Sequence, residues 1–110
     1  MLLVCGDGSV AADPEEDARI GREAGAWIEE MTRRGIRLDG HELAPVEDAT
    51  TVRIRGGEVL IADGPFAETK EQIAGYDIIE CADLDEAIEV ASRHPCARVG
   101  TIEVRPFWNE

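Results

Sequence analysis

The residues best equipped for chemistry in this chain gather around one stretch, Asp63-Gly64-Pro65-Phe66-Ala67-Glu68-Thr69-Lys70-Glu71. It lies between two strand-like runs, Val59-Leu60-Ile61 and Tyr76-Asp77-Ile78-Ile79. Gly64-Pro65 cannot continue a strand, because glycine frees the backbone while proline fixes φ and lacks an N–H. Asp63 falls at the strand end, where Gly64 lets a ligand or another backbone approach closely. Lys70 suits an anionic group, and Arg105, far along the chain, suits the fork geometry of a carboxylate. Phe66 either walls a pocket or reaches into a partner subunit. Each also has a structural role open to it: Asp63 accepting turn N–H groups, Pro65 shaping the turn, Phe66 plugging a core gap and Lys70 pairing with a nearby acid. Asp63, Phe66, Lys70 and Arg105 are the candidate ligand-binding residues.

Proton transfer near neutral pH looks first to histidine, and His41 and His94 are the only two. With Asp63 they are the catalytic candidates. His41 follows Asp39-Gly40, which allows an Asp–His couple. His94 ends a helical pattern, where the dipole favours a cation, the simpler role for it. Asp39, His41 and Glu42 supply too few well-spaced ligands for a metal, so no metal is expected. The cysteines Cys5, Cys81 and Cys96 are odd in number and contain no C-x-x-C pair, against both a disulfide framework and a zinc site. Cys5 and Cys81 sit in apolar runs and read as small core residues; Cys96, after Pro95, reads as more exposed. There is no phosphate-cradling glycine loop, nucleophile elbow or metal-binding helix pair, and no cofactor is expected.

The elements that must position these residues are legible from spacing. Leu2 to Cys5 is a short buried strand, ended by Gly6-Asp7-Gly8-Ser9. Asp13-Pro14-Glu15-Glu16 starts a helix, with a capping Asp, proline at the first position and acids at the positive end. Ile20, Ala24, Trp27, Ile28 and Met31 form its apolar stripe up to about Arg34, before Gly35. Glu29–Arg33 and Glu30–Arg34 have i,i+4 spacing on its wet face. Ile36-Arg37-Leu38 begins a second strand that continues or kinks through Leu43. Gly56-Gly57 between alternating runs signals a hairpin, since a primed turn needs positive φ. Gly75 to Cys81 is a strand with Tyr76, Ile78 and Glu80 on one face. Asp83-Leu84-Asp85-Glu86 caps a second helix with a stripe of Leu84, Ala87, Ile88 and Ala91, ended by His94-Pro95. Gly100 to Arg105 alternates as a last strand, Ile102 and Val104 facing the helices and Thr101, Glu103 and Arg105 facing away. Trp108, beside Phe107, covers a rim or crosses to a partner subunit.

Strand, helix, strand, hairpin, strand, helix, strand is a ferredoxin-like α+β order, two β-α-β halves around an antiparallel sheet with an inserted hairpin. Both helices must cover the same sheet face, because each has one apolar stripe to bury. The other face is half apolar and invites a partner sheet.

Composition bounds the rest. The 110 residues suit a single domain, 1–110, able to bury roughly two-thirds of its unfolded surface. A net charge of −13 repels phosphate backbones and anionic membranes, so neither nucleic acid nor membrane is an expected partner; the simple role of the charge is solubility, and docking to a basic protein partner is the functional alternative. No apolar run approaches the roughly 20 residues of a membrane helix. Met1-Leu2-Leu3-Val4-Cys5 is too short for a signal peptide and lacks a basic leader, and the expected location is cytoplasmic.

The words Thr50-Thr51-Val52-Arg53, Asp63 to Glu71, Gly75-Tyr76, Asp83-Leu84-Asp85-Glu86-Ala87, His94-Pro95 and Glu103-Val104-Arg105-Pro106 resemble the DGPF proteins of the YCII-related superfamily over nearly the whole chain. The resemblance implies a homodimer, a dimeric α/β barrel in which two ferredoxin-like sheets meet face to face around a cavity sized for a small molecule. It implies no settled reaction. DGPF proteins are often encoded with extracytoplasmic-function sigma factors, which implies the alternative of an accessory or regulatory protein partner. YCII-like relatives use a histidine on the first helix with an aspartate as an acid–base dyad. The first helix here has no histidine, so that dyad does not carry over. Glu23, near the corresponding place, either substitutes as a base or pairs with Arg19 in solvent.

Overall fold

The computed structural model describes residues 1–9, 12–67 and 69–108. Glu68, within the loop word that carries the resemblance, lies outside the described residues. Among the described residues, six strands and three helices follow in the order β1 (Leu2–Gly6), α1 (Pro14–Arg33), β2 (Arg37–Glu42), a 3-10 turn (Val46–Asp48), β3 (Thr50–Arg55), β4 (Glu58–Asp63), β5 (Gln72–Ile79), α2 (Leu84–Ser92), α3 (Cys96–Val99) and β6 (Thr101–Val104).

Four strands form one antiparallel sheet in the order β2-β5-β1-β6. That order, with crossovers through α1 and α2, is the ferredoxin-like arrangement the alternation predicts. The β3–β4 hairpin forms a sheet of its own. Its turn is made by Gly56 at φ 57° and Gly57 at φ 82°, the positive values a primed two-residue turn demands.

Capping sets both helix starts. Asp13 accepts from the amides of Glu15 and Glu16, at 3.1 and 3.4 Å, with Pro14 opening the first turn of α1. At α2, Asp83 accepts from Glu86 N at 2.9 Å and Glu86 Oε1 accepts from Ala82 N, one residue before the cap, at 3.1 Å, close to a capping box. Leu2, Trp27, Met31, Ile36, Val90 and Ala91 form the core between helices and sheet. Ile102 and Val104 pack on that core from β6, whereas Thr101 and Glu103 are exposed.

Several local expectations shift. The buried face of α2 is Ala87, Val90 and Ala91, and Leu84 and Ile88 point outward, 62% and 50% exposed. Strand β5 begins at Gln72, earlier than Gly75. Glu30 reaches Arg93 beyond α2, 3.5 Å away, and Glu23 pairs with Arg98 of α3 instead of Arg19. Both pairs tie α1 to the segment that follows α2, a tertiary use of charges that lie on one helix surface. All three cysteines are half-buried. Cys81 packs on the core, but Cys5 pairs with Thr101 on the uncovered side of the sheet.

Candidate functional site

Where the chain leaves the ends of β1, β2 and β4, three segments face one another. The first is Gly6-Asp7-Gly8, where Asp7 Oδ1 accepts Ser9 N at 2.9 Å. The second runs from Glu42 through Leu43, whose amide reaches Ala74 O at 2.8 Å, to the 3-10 turn. The third is the loop after Asp63. Gly64, at φ 92°, donates its amide to Ala49 O at 2.7 Å and accepts Thr51 Oγ1 on its carbonyl at 2.8 Å. Gln72 Nε2 then ties the loop by bonds to Ala67 O and Thr69 O, at 2.8 and 3.1 Å. Glu71 accepts Thr101 Oγ1 from β6 at 2.9 Å. The loop is held by polar groups of the strands around it, Thr51 of β3, Gln72 of β5 and Thr101 of β6.

Between these segments lies a cleft of about 740 Å³, within the usual range for small-molecule sites. Leu43, Pro45, Val46, Pro65 and Ile73 give it apolar walls. Its charged lining is Asp7, Glu42, Glu47 and Lys70. The Asp7 carboxyl is held below its ordinary range, chiefly by bonds from Ser9, with the positive charge of Lys70 adding to the effect. Lys70 thus has an acid near it as well as access to the cleft.

The other sequence candidates fall elsewhere. Asp63 is the exposed last residue of β4, opposite Thr50. Phe66 is 73% exposed, and the Arg53 guanidinium stacks on its ring 4.5 Å from the centroid. Arg105 pairs with Glu103, and its backbone exchanges bonds with Met1 at 2.7 and 2.9 Å, extending the β1–β6 ladder. None of Asp63, Phe66 and Arg105 lines the cleft of its own chain. His41 is exposed on β2 with Nε2 3.7 Å from Asp39 Oδ1, and its ring lies 6.1 Å from that of Tyr76.

His94 is not a solvated cation at a helix end. It is 6% exposed, its ring meets Trp27 edge-on at 4.7 Å, and its Nδ1 accepts the Cys96 amide at 3.0 Å. Burial pushes the imidazole below its ordinary range; Asp77 opposes the shift and Arg37 adds to it. Those two residues make a buried ion pair, Arg37 Nε to Asp77 Oδ1 at 2.8 Å. The pair was not singled out from sequence. Its signal was present, since Asp77 alternates with Tyr76 and Ile78 and so falls on the face turned toward the helices, where an acid needs a partner. Cys96 beside this cluster has its thiol pushed up by burial, with Asp77 and Glu42 adding. Burial likewise raises the thiols of Cys5 and Cys81, so none has the lowered pKa of a reactive nucleophile. Among the described residues no group of His, Cys, Asp and Glu is placed to hold a metal ion, and no helix is long and apolar enough to cross a membrane.

Sheet order, helix placement and the polar loop at the sheet's end define a ferredoxin-like α+β protein with an open face. The YCII-related domain matches residues 1–109. An uncharacterised protein of Rhizobium meliloti (strain 1021) is 39% identical over 110 residues, the match covering 96% of this chain and 89% of the relative. The chain belongs to the YCII-related family.

Proposed function

We propose that the chain acts as one YCII-related domain that binds, or transforms, a small molecule in the cleft beside the Gly64-Pro65 loop, in a homodimer that covers the open sheet face. The observation that carries this reading is the cleft itself: apolar walls, a few charged groups including Lys70, and a rim fixed by hydrogen bonds to Gly64 and Gln72. In this reading Lys70 holds an anionic or carbonyl-bearing group. Asp63, Phe66 and Arg105 take part through the second copy. Native mass spectrometry of the protein purified from its own cells tests it. The expected species is a dimer with a defined extra mass, lost when Ala44→Trp fills the cleft. A dimer that retains no mass, and whose thermal stability is the same with and without a cell metabolite extract, overturns the ligand reading.

The net charge of −13 favours a second reading, an accessory protein that docks on a basic partner. Salt-sensitive capture of one defined basic protein by the native dimer supports that reading in place of the first.

A further inference from the structure

We infer that the β3–β4 hairpin is an intersubunit arm whose apolar face is buried against a second copy of this chain. Register places Val52 opposite Ile61 and Ile54 opposite Val59. With a period of two, all four side chains lie on one face. They are 61% to 68% exposed in the single chain. The opposite face carries Arg53, Arg55, Glu58 and Leu60, the side chains expected against solvent or a polar rim. A two-stranded hairpin is marginal in water without a surface to pack on, and this one joins no other strand among the described residues. It also stands away from the body. The chain's radius of gyration is 15.9 Å, against about 13 Å for a compact chain of this length, and it spans 48 × 44 × 19 Å.

Charge identifies the occupant. Within residues 50–63 Arg53 and Arg55 offset Glu58 and Asp63, so the arm is neutral and the whole net charge of −13 resides on the remainder of the chain. Two such bodies repel, and the arm is the part that approaches another copy without that penalty. Neither arginine has an acid partner within its own chain among the described residues: Arg53 stacks on Phe66 and Arg55 Nη1 bonds only Ile54 O, at 2.9 Å. They lie on the other face of the hairpin, so they meet the acidic body of a second copy only from the rim of the buried surface. The receiving chain also has an uncovered sheet face, with Leu3, Tyr76 and Ile78 at its centre and Asp39 and Glu103 at its edges. A twofold pairing is reciprocal, so each chain supplies one arm and one receiving surface. The arm would also carry Asp63 and Phe66 to the partner. The inference rests on the homodimer of the proposed function and not on its ligand.

The test is photo-crosslinking of the native protein with benzoylphenylalanine in place of Val59, using a mixture of light and heavy isotope-labelled chains. The expected result is mixed-isotope peptides joining position 59 to the other chain. A dimer whose position 59 crosslinks only within its own chain, or only to a different protein, overturns the arm while leaving the dimer standing. A monomer overturns both. In parallel, Val52→Thr with Ile61→Thr keeps β-branched side chains in the hairpin while removing apolar surface. The dimer dissociation constant should rise about tenfold or more. An unchanged constant overturns the arm.

Discussion

Asp77 accepts a 2.8 Å hydrogen bond from Arg37 Nε on the covered side of the sheet, so an ion pair joins edge strand β2 to its neighbour β5 beneath the helices. Both side chains are nearly out of solvent, 15% exposed for Arg37 and 8% for Asp77. Removing one partner leaves a buried charge with nothing to compensate it. Asp77→Leu should therefore cost about 3–5 kcal/mol. Asp77→Leu combined with Arg37→Met should recover most of that loss, because two apolar side chains then replace two paired charges. Urea unfolding of the two variants checks this, and equal destabilisation of single and double variants would count against the pair.

Gly40 is glycine for space rather than for backbone freedom. A Cβ there would sit 2.5 Å from Asp77 Oδ1, 2.6 Å from Arg37 Nη2 and 2.6 Å from Tyr76 O. The side-chain ends can give way, but the Tyr76 carbonyl belongs to the β2–β5 ladder. Gly40→Ala should destabilise by about 1–3 kcal/mol. It should do so far less in the background where Asp77 and Arg37 are already replaced only if the side chains, and not Tyr76 O, set the clash. Thermal unfolding in both backgrounds separates these contributions.

His94 gives the protein a pH dependence of defined sign. Its folded-state pKa is lowered, by burial first. The unfolded chain, with a histidine near 6.5, therefore takes up a proton before the folded chain does. The stability that the neutral buried ring contributes is fully present above about pH 6.5 and is lost as pH falls through the folded value. The urea midpoint should drop from pH 7 to pH 5, and His94→Gln should flatten that drop. Parallel curves for wild type and variant would remove His94 as the cause.

The Gly64 turn is held by a side chain from the neighbouring strand. Thr51→Val keeps the shape and strand preference of the residue but deletes its 2.8 Å bond to Gly64 O. The expected cost is about 1 kcal/mol. Faster hydrogen exchange at the Gly64 amide, which donates to Ala49 O at 2.7 Å, should accompany it. Unchanged exchange there would show that the loop is fixed from elsewhere.

Phe66, 73% exposed in the single chain, should matter more to assembly than Lys70 does. Sedimentation should show a larger rise in dimer dissociation constant for Phe66→Ala than for Lys70→Ala. Equal constants for wild type and Phe66→Ala would falsify its role as an anchor.

The order of elements was readable because local signals agreed: Asp13-Pro14 and Asp83 mark helix starts, Gly56-Gly57 marks the hairpin, and Ile102 and Val104 alternate with polar neighbours. What local signals cannot decide is which of two similar faces meets the sheet. Leu84-Ala87-Ile88-Ala91 and Ala87-Val90-Ala91 both have helical spacing, and only the position of the sheet selects the second. The buried cluster was harder still. Asp77 announces a need for a partner, but Arg37 lies forty positions away, and nothing near either residue names the other. His94 looks like a helix-ending cation until Trp27, from the other helix, closes over it. Of the candidates, Lys70 lines the cleft, whereas Asp63, Phe66 and Arg105 do not, although Gly64 and Pro65, between Asp63 and Phe66, do.

The half-buried Cys96 has a further consequence. Its thiol is held protonated by burial and by the acids around it, so alkylation should be slow while that packing holds and quicken as it loosens. Its amide is bonded to His94, so that release and the loosening of His94 are one event. The rate at which Cys96 is alkylated therefore acts as a stopwatch on how often the end of α2 opens, with no label added to the chain.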